Sequence, residues 1–298
     1  LPEWRDIAFD KAGLGFNDCL HTDIIRYMAD LPGILKDVKE LNNKYSYEPT
    51  SHILDFNIDP NLDVNGNVDD TLSDTCPPLA FSPGSLDSLD FFNDLQPIDM
   101  PYPVGTPACA QSMARKALLR RVRDFKDALY HLGIDLNAKL ANGATAVELP
   151  LNGENSPVST SYHFTSWRDM TGYSCFWSLL ILTNKVLMRL LPPFDPLIYG
   201  LESECRSIAF EICKTWEDAW ASKPIGALHT GLSFVVAYEY CNPDVQEWII
   251  DGMNSLLDYQ MINAFRWSGE VIAMMSGKLA GEGPDLSFSH VTSQKEAL

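Results

Sequence analysis

The chain has 298 residues, 46% of them apolar, enough for one large core or two smaller ones. A formal net charge of −18 argues against direct binding to nucleic acid, because holding phosphates takes a basic surface. No membrane span is expected either, since the longest apolar run, Cys175 to Leu182, falls far short of the roughly twenty residues a bilayer needs.

Residues 1–15 read as an extended lead-in. The opening Leu1-Pro2-Glu3-Trp4-Arg5-Asp6 is charged where a signal peptide would be apolar, and a start at Leu1 reads as a fragment. A helix is then expected from Asn17, with Leu20, Ile24, Tyr27, Met28 and Leu31 on one side, stopped by Pro32-Gly33. A second short helix follows over Ile34 to Lys44. From Tyr45 to Ala114 there is no Lys or Arg, while Asp, Pro, Gly, Asn and Ser recur without a period. This predicts a long acidic irregular insertion over 45–110. Within it, Leu86 to Leu95 alternates acidic with bulky apolar residues, a composition similar to an acidic activation segment and equally that of an acidic surface loop.

Thr106 to Leu132 is predicted as a strongly amphipathic helix. Leu118, Val122, Phe125 and Leu129 share one face, and Arg115, Lys116, Arg120, Arg123 and Lys126 the next. The basic face is expected to dock on the chain's own acidic segment, 48–103. Asn137 to Ser159 reads as a loop in which Ala144 to Leu149 has strand character but no evident partner. Helices follow over Phe164 to Leu191, Glu202 to Trp220 and Ile225 to Cys241. The last is apolar all round, which predicts the central buried helix of a bundle. Asn242 caps a further helix with Pro243 at its first position, and a final one runs from Trp267 to Leu279 before a loose tail over 284–298. The fold class is therefore all-α: one multi-helix bundle over 1–298.

Little local chemistry is visible. The seven cysteines are scattered with no Cys-x-x-Cys pair, as expected of reduced, packed thiols in the cytosol or nucleus. The histidines are isolated from one another, so neither a metal site nor any cofactor is expected. Asp69-Asp70-Thr-Leu-Ser-Asp74 is similar to the magnesium-binding cluster of helical terpene synthases, but it lacks that family's partner motif and a helix to carry it. No catalytic residue is nominated. His163 and His229 fall on predicted core helices, where a hydrogen-bonded core role is the ordinary reading.

Three stretches carry a resemblance. Glu211-Ile-Cys213-Lys-Thr-Trp216, Lys223-Pro224-Ile225-Gly226-Ala227-Leu228 and Asn242-Pro243-Asp244-Val-Gln-Glu-Trp248-Ile249 resemble the C-terminal regulatory domain of fungal zinc-cluster transcription factors. The Tyr162-to-Leu191 element, with Trp177 and Asn184, is similar to the one that precedes those motifs in the family. The match covers about 160–281. It implies a nuclear regulatory domain that binds a small-molecule effector or a coregulator protein, with homodimer formation allowed. The DNA-binding zinc cluster is not in this sequence. A second reading, a cytoplasmic enzyme of fungal secondary metabolism on the same fold, would use His163 or His229 as an acid. For either, the expected pocket lies beside the 225–241 helix, among Trp167, Tyr173, Trp177, Trp216, Gly226, His229, Thr230 and Gly231.

Overall fold

A computed structural model describes residues 16–45, 107–151, 156–262 and 264–282. The acidic segment, the Asp69–Asp74 cluster, the lead-in and the tail beyond 284 lie outside these residues. The fold is an all-α, multi-helix one with a single two-stranded sheet among the described residues.

Helix α1, Phe16–Tyr45, runs straight through Pro32 instead of stopping there. Ile24, Leu31, Ile34 and Val38 form one buried stripe on both sides of the proline, which is itself exposed. The apolar stripe therefore holds the helix together across the bond that Pro32 cannot make. Helix α2, Pro107–Ala141, extends well past the expected end at Leu132. Its stripe is Leu118, Val122, Phe125, Leu129 and Leu136. Gly133, which looks like a stop signal, lies inside the helix because the Phe176 ring packs there; an added Cβ would sit 2.8 Å from its edge. The helix ends at Gly143, whose φ of +73° suits a left-handed cap.

Strands β1, Ala146–Pro150, and β2, Thr160–Phe164, pair antiparallel with Ala146 opposite Phe164 and Pro150 opposite Thr160. The expected loop thus contains a strand, and its partner is the stretch that looked like a helix start. Helix α3, Trp167–Leu190, begins only at Ser166, whose hydroxyl accepts from the Asp169 amide at 3.2 Å. Pro192-Pro193 follows its end, because neither residue can donate the next backbone bond. Its last carbonyls are met by Arg115 of α2, which donates to Leu190 at 2.7 Å and to Leu191 at 3.0 Å. One of the basic residues assigned to the acidic segment is thus a helix cap.

The predicted Glu202–Trp220 helix is two helices, α4 (Leu197–Cys213) and α5 (Trp216–Ala221). The break has a long-range cause: the Lys214 carbonyl accepts from the Tyr162 amide of β2 at 2.9 Å. Thr215 adds its hydroxyl to the Ile212 carbonyl at 2.8 Å. Helix α6, Ile225–Ala237, ends in a 3₁₀ turn over Tyr238–Tyr240. Helix α7, Pro243–Tyr259, is capped by Asn242, which accepts from Val245 at 2.9 Å. Helix α8, Gly269–Leu279, ends before Gly281.

The central helix is α3, not α6. It is buried on all sides over much of its length and packs against α1, α2, α4 and α6. Burying a side chain such as Leu180 or Ile181 contributes about 1.5–3 kcal/mol, so this helix anchors the core.

Candidate functional site

The site begins with the composition of α6. Between Ile225 and Ala237 there is no Asp, Glu, Lys or Arg. One face enters the core through Ala227, Thr230, Phe234 and Val235. Thr230 satisfies itself on the Gly226 carbonyl at 3.0 Å, and Ser233 donates to the Ser174 carbonyl of α3 at 3.1 Å. The opposite face is open: Ile225, Leu228 and Leu232 are 54%, 62% and 53% exposed. Spaced at i, i+3 and i+7, they form one stripe with His229. His229 is exposed and stacks on Trp167 of α3 at 6.0 Å, with the rings within 18° of parallel. Gly231 has nothing within 4 Å of where a Cβ would stand. An apolar helix face rimmed by Trp167 and His229 is thus presented to solvent, the kind of surface that marks an interaction site.

The residues nominated for one pocket fall into four sets of contacts. Trp167, His229 and Gly231 belong to the open face. Tyr173 and Trp177 are buried beneath the hairpin, where Trp177 stacks on Tyr162 at 6.1 Å. The Tyr173 hydroxyl donates to the Leu136 carbonyl at 2.6 Å and pairs with Thr145 at 2.9 Å. Burial pushes that hydroxyl up to about 12, so it stays a donor. Trp216 lies at the meeting of α5, α6 and α7, edge-on to Phe234 at 5.2 Å and to Trp248 at 5.4 Å. Gly226 and Thr230 face inward and are closed in. A Cβ on Gly226 would meet the Ser222 hydroxyl at 1.9 Å and Met170 at 3.1 Å. The contacts of these residues therefore lie in separate parts of the fold. The expectation that the 225–241 helix is buried on every side is corrected: lack of charge does not show which face finds neighbours, and Ile225, Leu228 and Leu232 are exposed.

Neither histidine occupies the core. The His163 side chain, on β2, is 57% exposed and lies 3.1 Å from Asp218, which also accepts from the Phe164 amide at 2.6 Å. Among the described residues no group of histidine, cysteine and carboxylate side chains could hold a metal ion.

Polar networks missed from the sequence join the elements. Lys214 lies 2.9 Å from Glu211 and 3.0 Å from Glu148, while Tyr162 donates to Glu211. Burial pulls the Lys214 ammonium down, but Glu211 and Glu148 outweigh it and hold the group above its usual range. A lysine so held has no lone pair to offer as base or nucleophile. Lys126 and Tyr130 of α2 share Glu204 of α4, with the lysine at 2.7 Å, and Lys185 of α3 pairs with Glu239 at 2.5 Å. Lysine–carboxylate pairs across helices leave no local signal in sequence. The Asn184 amide is fully buried on α3, where it faces the Cys205 sulfur. Among the described residues no helix is long and apolar enough to cross a membrane. No family model, curated protein or solved structure matches the chain.

Proposed function

We propose that this chain is the regulatory part of a fungal zinc-cluster transcription factor, acting in the nucleus by binding a coregulator protein or small effector on the open face of α6. The observation that carries the reading is that face: Ile225, Leu228 and Leu232 exposed beside the Trp167–His229 stack. Such a surface suits recognition, because burying it on a partner supplies the apolar core of an interface. The resemblance to the family adds a second support. Its three motifs meet around one corner, where Trp216 packs on Trp248 and the Lys223–Leu228 stretch opens α6. The charge of −18 fits a chain that leaves DNA contact to another domain.

The test is a reporter assay. The chain is fused to a heterologous DNA-binding domain, and Leu228→Asp with Leu232→Asp is compared with the parent. Both positions are exposed, so the fold should hold within about 0.5 kcal/mol. Reporter output should change by about tenfold, the effect of removing roughly 1.4 kcal/mol of interface energy. Unchanged output from a folded double variant would overturn the reading.

A further inference from the structure

Cys213 is the last residue of α4, and Cys241 follows the 3₁₀ turn that ends α6. They stand 28 positions apart, yet their sulfurs are 3.8 Å from each other. Both are free thiols; Cys213 is buried and Cys241 only partly so. Cys241 also donates to the Ala237 carbonyl at 3.4 Å, which holds its sulfur on the side facing Cys213. A disulfide needs the sulfurs about 1.8 Å closer, given a bond of roughly 2.05 Å. Turning about the Cys241 side chain is the natural movement, because that residue sits in the irregular link between two helices.

We propose that Cys213 and Cys241 form an oxidative modification site, closing reversibly to a disulfide with a hydroperoxide as oxidant and a cellular thiol as reductant. The partly buried Cys241 is the sulfur an oxidant reaches first. Its sulfur takes one oxygen from hydrogen peroxide, giving a sulfenic acid and one water. The Cys213 sulfur then attacks the Cys241 sulfur and its electron pair forms the S–S bond. The displaced hydroxide leaves with the Cys213 proton as a second water. Two thiols and one peroxide thus give one disulfide and two waters. A thiol reductant reverses the change by exchange through a mixed disulfide at Cys241. Division of labour follows from the surroundings. The hydrogen bond to Cys241, with burial, holds the Cys213 thiol well above its usual range, so it stays protonated and inert until its neighbour is oxidised. Cys205 differs: it is fully buried, and its sulfur faces the Asn184 amide and the Tyr240 hydroxyl.

The bond would tie the end of α4 to the start of α7 and enclose α5 and α6, the segment that bears the open face. Closing a loop of that length raises the thermal midpoint by about 5–10 °C where geometry is unstrained. The experiment treats the full chain with hydrogen peroxide, blocks remaining thiols with N-ethylmaleimide and maps unreduced peptides by mass spectrometry. The expected product is the Cys213 peptide joined to the Cys241 peptide, two hydrogens lighter than the pair, and separated by dithiothreitol. The midpoint rise should accompany it and be absent from Cys241→Ser. Recovery of Cys213 as its maleimide adduct, with Cys241 untouched or carried on to sulfinic acid, would overturn the proposal. The peptide map uses the unaltered chain, so it decides the matter even if the serine variant folds poorly. It is independent of the reporter assay, and either proposal can fail alone.

Discussion

At the scale of single residues, two helical glycines separate space from crowding. A Cβ on Gly252 would fall 2.5 Å from the Trp216 ring, while one on Gly231 would touch nothing within 4 Å. Gly252→Ala must therefore push a packed indole aside and should cost about 1–3 kcal/mol. Gly231→Ala should instead stabilise the chain by roughly 0.5–1 kcal/mol, because it removes backbone freedom from the unfolded state and keeps the helix. Urea denaturation of the two variants measures both signs in one experiment. A stabilising Gly252→Ala would mean that Trp216 is not seated as described. Neither outcome is legible in the sequence, where both glycines simply interrupt apolar helices. What a glycine faces is fixed by elements far away in the chain.

At the scale of elements, the hairpin is clamped to the α4–α5 break by Lys214, and the clamp titrates at both ends. Burial pushes the Glu148 carboxyl up, but the hydrogen bond from Thr160 and the one from Lys214 outweigh it, so it lies below the usual 4.5. A lowered acid contributes stability that is complete above the unfolded value and lost as pH falls through the folded one. The raised Lys214 works in the opposite sense, contributing fully below 10.5 and losing its part as pH climbs through its folded value. Glu148→Gln should accordingly melt below the parent at pH 7, and the two melting curves should converge once the pH has fallen through the folded value of Glu148, where the parent residue is neutral too. A gap that persists in acid would show that the carboxylate's charge is not what matters. Helix interiors and the Asn242 cap were readable from the sequence because their causes are local. The hairpin and the break after Cys213 were not, since they depend on the Tyr162–Lys214 backbone bond across 52 positions (214 − 162). Pro32 misled for the same reason: packing overruled a local signal.

At the scale of the whole molecule, an uncharged helix face sits on a chain carrying −18. Charge of that size favours the approach of basic molecules over acidic ones, at a rate that falls as salt is added. Buried ion pairs at Lys126 and Lys185 tie helices to one another inside, and one at Lys214 ties the end of α4 to β1, while the apolar stripe of α6 is left outside. That arrangement also explains why the all-α class could be read from composition and period, while the exposed stripe could not: periodicity reports which residues are apolar, not which of them find neighbours.

The corner where α5, α6 and α7 meet has an optical consequence. Trp216 lies parallel to Trp220 at 5.8 Å and edge-on to Trp248 at 5.4 Å, and Lys223 holds its ammonium 3.7 Å from the Trp220 ring centre. Indoles this close couple their strong short-wavelength transitions, so the chain should show paired bands of opposite sign superposed on its far-ultraviolet helical circular dichroism. Such bands require fixed side-chain packing and vanish when packing loosens. Trp216→Phe should abolish them and leave the underlying helical spectrum in place, whereas Trp167→Phe, at the open face, should leave both. Retained bands in Trp216→Phe would assign them to another chromophore. With the origin confirmed, the chain carries its own spectroscopic gauge beside the surface that α6 presents, readable in real time without a label.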